Sequence, residues 1–411
     1  MEVIVQKFGG TSLKGPKERQ QAVNLVKAAV EQGLAVVVVV SAMGRKPDPY
    51  ATDTLLGVVA EELAQPGGLP GRELDLLLSC GEIISATLFA GLLQSAGLAA
   101  VALTGAQAGI ITDNNFTCAH IIKVNPERVA KELRNGKVVV VAGFQGRTED
   151  NEITTLGRGG SDTSAVALGA ALKAKRVEIY TDVSGIMTAD PHISPEATLL
   201  KQVTYQEVVE LAHLGAKVVH PRAVELAMAA GIPLWIKGTD GRSEGTLVTG
   251  TVPGGIEITG DRVITGIAHI LGVAQVRVDL RPEPSPGEQH LAIFSQLAAA
   301  NISVDIINVF PDRVIFTVQE QVLPATVNAL TNLGYVPQTE SGFAKVSAVG
   351  AAMRGVPGVM ARIVRALQAV KVEIYQSVDS HANISCLIRA DQLAEAIRSL
   401  HAEFGLNGFS D

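Results

Sequence analysis

Apolar strands alternate with amphipathic helices along roughly the first 235 residues of the chain. Residues 3–7 form a short, largely β-branched run that stops at Gly9-Gly10. Apolar positions then recur on one helical face from about Lys17, and an uninterrupted apolar run, AVVVVV, follows at residues 35–40. Such a run is typical of a strand covered on both faces, as in a parallel sheet. The rhythm of strand, helix and strand predicts an α/β layer sandwich with right-handed crossovers.

Capping residues predict further helices in this region. Asn125 and Pro126 have the types expected at the N-cap and at the first position of a helix. Thr204 and Glu207 form a capping-box pair for a helix that runs towards Gly215. The other predicted elements are strands at residues 137–142 and 177–181 and an apolar helix at residues 165–172.

The pattern of predicted helices and strands changes beyond residue 260. Pro286-Gly287 and Pro357-Gly358 lie about 70 residues apart, and each opens a predicted helix that is followed by a strand, at residues 302–307 and 372–375. We interpret this as a weak internal repeat of two α+β modules of βαββαβ type. The predicted division is a large α/β domain at 1–240, a glycine- and threonine-rich connector at 241–262, and modules at 263–341 and 342–411.

Composition excludes several classes of protein. The 411 residues include 34 basic and 41 acidic side chains, with a formal net charge of −7 and no basic block, which argues against nucleic acid as a partner. The three cysteines have no metal-type spacing, so neither a zinc site nor a disulfide framework is expected, and no metal ligands are predicted. No signal peptide is recognised, and the apolar run at 35–40 is too short to span a bilayer. We expect a soluble, cytoplasmic protein with no membrane partner.

Three glycine-rich turns follow predicted strands, where open α/β sheets bind ligands. KFGGTS at 7–12 combines a lysine, paired glycines and hydroxyls, a set that suits a phosphate. LGRGGSDTS at 156–164 leads into a helix whose N-terminus favours an anion, and Arg158 can grip a carboxylate. TDVSG at 181–185 is the third. A tight turn, helix caps and an ordinary strand exit are the alternative interpretations of these three segments.

Other residues carry weaker signals. Glu82 beside Gly81 is predicted near the start of a helix, where an acid could equally complement the helix dipole. Cys80 has no histidine close in sequence, and His213 and His220 favour packing or capping over metal ligation. The sequence contains no P-loop motif, no dinucleotide fingerprint after the first strand, and no protein-kinase loop motifs.

Taken together, the motifs resemble those of the aspartate kinases. The resemblance spans essentially the whole chain and includes tandem C-terminal repeats that look like ACT domains. The segments that carry it are KFGGTS at 7–12, VSAMG at 40–44, Gly81-Glu82, GFQG and ITTLGRGGSDTSA within 143–165, TDVSGI at 181–186 and GAKVVHPRA at 215–223.

The resemblance implies a three-layer αβα sandwich with a mainly parallel sheet, the amino-acid kinase fold, followed by two ACT-like modules. It implies transfer of the ATP γ-phosphoryl group to the β-carboxylate of L-aspartate, with Mg²⁺ accompanying the ATP. This is the first step towards lysine, diaminopimelate, threonine and methionine. The implied catalytic residues are Lys7 and Asp162. The implied aspartate contacts are Thr52, Glu82, Arg158 and Ser161. The implied nucleotide contacts are Lys7, Phe8, Gly9, Gly10, Ser12, Ser41, Thr181, Asp182 and Lys217.

The sequence departs from the family pattern at two positions of the nucleotide loop. Met187 stands where relatives often have an aromatic residue, and His192 stands where they often have an arginine. The spacer at residues 45–51 is longer than in some relatives, which bears on Thr52.

The tandem modules imply feedback by an amino-acid effector and a homodimer or higher homo-oligomer. The segment at 376–381, QSVDSH, resembles the form in diaminopimelate-sensitive enzymes of spore-forming bacteria, and lysine and threonine are the other candidate effectors. The sequence also allows other functions. The chain could be a kinase for another acid such as acetylglutamate or glutamate, or a non-catalytic amino-acid sensor, and the modules could serve only for dimerisation. The candidate effector loops are residues 286–287, 308–313, 353–359 and 376–383.

Overall fold

A computed structural model describes residues 1–62, 68–216, 218–250, 263–353 and 356–407. These residues form two compact units. The N-terminal unit is drawn from residues 1–186, 199–212 and 218–250, and the C-terminal unit from residues 187–198, 213–216 and 263–407.

The N-terminal unit contains strands and helices in alternation, as the hydrophobic pattern predicts. Its strands are β1 (Val3–Phe8), β2 (Ala35–Val40), β3 (Ala100–Leu103), β4 (Ile110–Thr112), β5 (Ile121–Val124), β6 (Val138–Ala142), β7 (Gln145–Arg147), β8 (Ile153–Thr155), β9 (Arg176–Thr181), β10 (Gln202–Thr204), β11 (Leu234–Gly238) and β12 (Thr246–Thr249). Its helices are α1 (Pro16–Glu31), α2 (Thr52–Glu62), α3 (Gly71–Ser95), α4 (Glu127–Arg134), α5 (Gly160–Leu172), α6 (Tyr205–His213) and α7 (Pro221–Ala230).

The main sheet has the strand order β10-β12-β11-β9-β1-β2-β6-β3. The six strands from β11 to β3 are parallel, and β12 runs antiparallel to β11. Helices α1 and α3 cover one face, where their apolar side chains join those of β1, β2 and β6 in one core. Helix α5 lies against the other face, since Gly169 sits over Val5 and Val177. The three-layer αβα sandwich with a mainly parallel sheet is therefore confirmed. A small sheet, β5-β4-β7-β8, belongs to the same unit.

Four local predictions for this unit need correction, and the last concerns Glu82. Helix α5 begins at Gly160, five residues before the predicted start, because Gly159 takes a left-handed backbone conformation (φ 69°) and Ser161 to Ser164 already lie in the helix. Pro126, not Asn125, is the N-cap residue of α4. Strand β12, at Thr246–Thr249, is part of the main sheet although its residues fall in the predicted connector; residues 251–262 of that connector lie outside the described residues.

Glu82 does not lie near a helix start, as predicted, but in the interior of the 25-residue helix α3. Gly81 is required there by packing, because a Cβ atom would come within 2.8 Å of the carbonyl oxygen of Tyr50. Helix α3 is also long and apolar enough to pass a composition test for a membrane span, but half of its most apolar window is buried in the protein. Core helices of soluble proteins pass the same test, so this is weak evidence for a membrane.

The C-terminal unit is built on one antiparallel sheet with the order β14-β15-β13-β16-β18-β17. Its strands are β13 (Gly266–Asp279), β14 (Asp305–Val309), β15 (Arg313–Gln319), β16 (Gln338–Val349), β17 (Gln376–Asp379) and β18 (Asn383–Arg389). Its helices are α8 (Pro286–Ala299), α9 (Leu323–Asn332), α10 (Val359–Ala369) and α11 (Leu393–Glu403). The long strands β13 and β16 pair with each other and pass through both modules: residues 273–279 of β13 pair with β15, whereas residues 343–349 of β16 pair with β18.

The repeat is visible in the turns that follow α8 and α10. Asn301 and Lys371 both take left-handed conformations, with φ of 55° and 57°. The next residues, Ile302 and Val372, donate their N–H groups to the carbonyls of Leu297 and Leu367 and so close the helix ends. The predicted strands at 302–307 and 372–375 therefore begin later than predicted, at Asp305 and Gln376.

A short segment from the N-terminal half of the sequence belongs to the C-terminal unit. Within residues 187–198, Ala189 joins the core formed by β16, β18, α10 and α11. Thr188 bonds the buried ring of His401 at 2.9 Å, and its carbonyl accepts the N–H of Ile267 at 2.8 Å. Thr198 donates its hydroxyl to the carbonyl of Leu406 at 3.1 Å.

Candidate active site

The turns that follow neighbouring parallel strands meet at one edge of the main sheet. Gly9 N–H donates to the carbonyl of Tyr180 in β9 at 3.3 Å, and Ser41 N–H donates to that of Phe8 at 3.1 Å. Gly44 N–H donates to the carbonyl of Gly10 at 2.9 Å. The KFGGTS and VSAMG motifs and the end of β9, which leads into TDVSG, are thereby joined by hydrogen bonds, as the rule for the carboxyl ends of parallel strands predicts.

Gly10 permits a close approach that no side chain would allow. A Cβ atom there would lie 2.6 Å from the carbonyl oxygen of Ala42 and 2.7 Å from that of Gly44. Phe8, in contrast, is fully buried and stacks on Tyr180 with ring centroids 4.8 Å apart. Its ring is thus a core side chain, and any contact that Phe8 makes with a nucleotide would be through its backbone.

Lys7 and Asp162 form the central ion pair of this cluster. The Nζ atom of Lys7 lies 2.7 Å from Oδ1 of Asp162, and the two side chains are only 12% and 11% exposed. Lys7 stands near the end of β1, and Asp162 stands in the first turn of α5. The ammonium group therefore lies close to the glycine turn and to a helix N-terminus, a combination that favours bound anions.

Arg158 lies in the turn between β8 and α5. Gly157 and Gly159 on either side of it have φ of 71° and 69°. Its guanidinium is exposed and makes no hydrogen bond or ion pair within the described part of the chain. Ser161 is buried in the first turn of α5 beside Gly143, where a Cβ atom would come within 2.9 Å of the Ser161 Cβ.

Glu82 projects from the buried side of α3 and is 2% exposed. Its Oε1 accepts the N–H of Ala42 at 3.0 Å, while Oε2 is buried without a hydrogen-bond partner among the described residues. Burial raises the pKa of this carboxyl to about 8, although the bond from Ala42 opposes the rise. Ser85, one turn further along α3, also has a buried hydroxyl without a partner in the described ranges. Thr52 begins helix α2.

Hydroxyl groups line a second part of the cluster, around the end of β9. Ser12 and Thr239 share a hydrogen bond of 2.6 Å, and Thr239 donates to the carbonyl of Thr181 at 3.1 Å. The Thr181 hydroxyl donates to Asp182, whose carboxylate lies 3.5 Å from the guanidinium of Arg45. Ser12, Thr181, Asp182 and Thr239 border a cavity of about 280 Å³. Asp240 and Lys14 also line it, and neither they nor Thr239 belong to a motif that the sequence singles out.

Lys217, a predicted nucleotide contact, lies outside the described residues. Met187 and His192 belong to the C-terminal unit, where His192 donates its N–H to Asp190 at 2.9 Å. His220 is the N-cap residue of α7, and its ring packs where a Gly159 Cβ would stand. Within the described ranges, no group of three or more His, Cys, Asp or Glu side chains could hold a metal ion.

Comparison with known proteins agrees with this geometry. The model of the amino acid kinase family matches residues 2–238, and an ACT domain model matches residues 346–404. Over 411 residues the chain is 47% identical to aspartokinase 1 of Bacillus subtilis (strain 168), an alignment that covers 99% of this chain and all of that one.

The chain belongs to the aspartokinase family.

Further relatives support the same family. The aspartokinase of Geobacillus stearothermophilus is 42% identical over 416 residues, covering 99% of this chain and 98% of the other. The crystal structure of E. coli aspartokinase III in complex with aspartate and ADP has a TM-score of 0.78 at 24% identity, covering 98% of this chain and 99% of that one, and supports the fold. The recognition of an aspartokinase with an amino-acid kinase fold and ACT domains is confirmed, so this is an ATP-dependent kinase acting on aspartate.

Proposed function

We propose that Lys7 and Asp162 carry the reaction of this aspartokinase, the transfer of the ATP γ-phosphoryl group to the β-carboxylate of L-aspartate. An oxygen of the β-carboxylate attacks the γ-phosphorus, the bond to the β,γ-bridging oxygen breaks, and 4-phospho-L-aspartate and ADP result. The observation that carries the assignment is the 2.7 Å ion pair between the glycine turn and the N-terminus of α5.

The chemistry asks for positioning and charge neutralisation because two anions must be brought together. In this proposal Lys7 contacts the phosphoryl group as its charge redistributes. Asp162 orients the Lys7 ammonium, and the backbone N–H groups of Gly9 and Gly10 with the Ser12 hydroxyl line the phosphate path. No covalent enzyme intermediate is needed.

Four residues are proposed to hold aspartate. The exposed guanidinium of Arg158 is available to bind a carboxylate in bidentate fashion. Glu82 would accept the α-ammonium group through its unpartnered Oε2, and Ser161 at the N-terminus of α5 would add a hydroxyl contact. Thr52 completes the set.

The nucleotide is proposed to occupy the cavity beside β9, with Ser41, Thr181, Asp182, Lys217 and the backbone of Phe8 as its further contacts. Oxygen donors border this cavity, including the carboxylates of Asp182 and Asp240, and such donors fit a hydrated Mg²⁺ carried mainly by the phosphates. When bound, the ion would neutralise phosphate charge. We expect the enzyme to act in the cytoplasm.

A hydroxylamine trap tests the reaction. Protein, MgATP and L-aspartate should yield the hydroxamate of an acyl phosphate, and omission of aspartate should abolish it. Product formed with glutamate or acetylglutamate, but none with aspartate, would contradict the substrate assignment. Lys7→Met should remove most of kcat with folding intact, because the ammonium acts mainly in the transition state. Near-normal turnover by that variant would refute its role.

The ACT modules are proposed to bind an amino-acid effector and to join two chains. Two of the predicted effector loops border one cavity of about 320 Å³, lined by Met353, Gly358, Val359, Asp379, Ser380 and His381 among others. Initial rates titrated separately with meso-diaminopimelate, lysine and threonine would identify the effector. A rate that responds to none of them would refute feedback regulation by these compounds.

A further inference from the structure

We propose that Asp75, assisted by Arg222, is a positioning residue that fixes the turn bearing Arg158 to the helix bearing Glu82. This inference rests on the proposed roles of Arg158 and Glu82 in aspartate binding. In this inference helix α3 sets the distance between Arg158, which holds a carboxylate of aspartate, and Glu82, which holds the ammonium group.

Asp75 connects α3 to two segments, the end of β8 that leads to Arg158 and the turn that contains Thr117. Its carboxylate is fully buried. Oδ2 accepts the N–H of Thr155 at 2.9 Å, and Oδ1 accepts the Thr155 hydroxyl at 2.5 Å. Both oxygens also accept the N–H of Thr117, at 3.0 and 2.9 Å. Thr155 is the last residue of β8, three positions before Arg158.

Arg222, on α7, holds the same two segments from another direction. Its guanidinium donates to the carbonyl of Leu156 at 3.3 Å and to that of Ala119 at 3.2 Å. Leu156 N–H also donates to the carbonyl of Phe144 at 2.8 Å. The chain is thus held at Thr155 and Leu156. The left-handed Gly157 follows, and the next residue, Arg158, is exposed.

Helix α3 brings the two substrate-facing groups into one frame. Asp75 and Glu82 are seven residues apart, so they project from nearly the same side of the helix, about 10 Å apart along its axis. Between them, the Ser79 carbonyl accepts the side-chain amide of Gln145 at 2.9 Å. The buried side of α3 therefore contacts β7, β8 and the VSAMG turn.

The chemistry of Asp75 favours positioning over simple packing. A buried carboxylate is costly unless hydrogen bonds satisfy it, and this one contacts no Lys or Arg cation within the described ranges. The carboxylate accepts from three donors on two segments that are distant in sequence and so fixes their relative register. An apolar residue in its place would leave those donors without this acceptor.

Steady-state kinetics of Asp75→Ala, Asp75→Asn and Thr155→Val test the inference. Asp75→Ala should raise the KM for aspartate about tenfold or more while the KM for ATP changes less than about twofold, because a displacement of about 1 Å costs up to 10²-fold. Asparagine keeps an acceptor for the backbone N–H groups and should restore the KM to within about threefold. Thr155→Val removes only the hydroxyl bond and should give a KM for aspartate between those of the wild type and Asp75→Ala. Asp75→Asn and Thr155→Val keep the test valid if Asp75→Ala does not fold.

A double-mutant cycle with Arg158→Ala separates positioning from general damage. If Asp75 acts through Arg158, then adding Asp75→Ala to Arg158→Ala should raise the KM for aspartate less than about twofold further. Glu132→Ala is the matched control. It removes another buried carboxylate of the same unit, bonded to Lys137 and Arg128, and should lower the melting temperature without changing the KM for aspartate.

The outcomes distinguish a failure of the proposed substrate role of Arg158 from a failure of the positioning role of Asp75 alone. An Arg158→Ala variant with unchanged KM for aspartate would refute the proposed substrate role and the inference with it. A raised KM in Arg158→Ala would leave the positioning role alone under test. That role would be overturned by unchanged KM values in folded Asp75→Ala and Thr155→Val, or by an Asp75→Ala effect that adds in full to that of Arg158→Ala.

Discussion

Replacing Glu82 by glutamine and following the KM for aspartate from pH 6 to pH 9 tests how this site recognises an ammonium group. Burial raises the Glu82 pKa from 4.5 to about 8, so the free protein holds this carboxyl largely neutral at pH 7. The rise corresponds to about 5 kcal/mol in favour of the neutral form. If Oε2 binds the α-ammonium group as proposed, it does so in the charged form, so aspartate binding must displace a proton.

The size of the effect follows from that pKa. If the complex contains only ionised Glu82, the apparent KM scales as one plus the ratio of neutral to ionised free protein. The KM should then be about 50-fold higher at pH 6 than at pH 8, and only about twofold higher at pH 8 than at pH 9. At pH 7 binding should release close to one proton.

Initial rates at saturating MgATP give the pH profile, and calorimetry in buffers of different ionisation enthalpy gives the released proton. Glu82→Gln cannot ionise, so its KM should be high and nearly independent of pH over this range. A wild-type KM that stays flat between pH 6 and pH 8, with no proton released on binding, would show that Glu82 is already ionised or does not contact the substrate.

Three further predictions concern the same cluster. Asp162→Asn should lower kcat about 10²-fold while the KM for ATP changes little, because Lys7 loses the carboxylate that orients it; an unchanged kcat in steady-state assays would contradict this. Gly159→Ala should lower the free energy of unfolding by about 2 kcal/mol or more, since its Cβ would stand 2.2 Å from a histidine ring and φ is 69°. Gly33→Ala, with a similar φ of 80° but open space, should cost about 1 kcal/mol, and equal losses in thermal unfolding would refute the steric argument. Glu82→Gln should gain stability relative to wild type as pH rises from 5 to 9. The folded-state pKa lies above the unfolded value, so the wild-type carboxyl stabilises the fold below pH 4.5 and loses that contribution as pH rises through 8; melting temperatures with a difference independent of pH would contradict this.

Local sequence patterns could predict the glycine turns because the glycines and polar residues of each turn lie close together in sequence. Lys7 and Gly10 are three positions apart at and just after the end of β1, and the parallel sheet brings such strand ends together. The same patterns place the start of α5 too late, because the apolar pattern begins at Ala165 whereas the helix begins at Gly160, after the left-handed Gly159.

The rest of the site depends on contacts between residues far apart in sequence. A glycine at position 81 suggests a helix boundary, yet Gly81 lies inside α3. The residue there is glycine because the Tyr50 carbonyl approaches too closely for a side chain. Asp75 finds its partners 42 and 80 residues away, and Thr239 meets Ser12 across 227 residues. Neither has a neighbouring residue that marks it as functional, so only the fold reveals them.

The segment at residues 187–198 determines where this polypeptide can be divided. Cutting at the connector would leave a fragment ending at residue 250 that still carries Ala189, Ile193 and Ala197, apolar residues whose packing partners lie beyond residue 263. The complementary fragment would lack those side chains and would leave the Thr188-bonded ring of His401 without its partner. Neither fragment keeps all the packing partners of its own side chains. Chimeras that exchange regulatory halves between relatives should therefore carry residues 187–198 with the half whose core they complete.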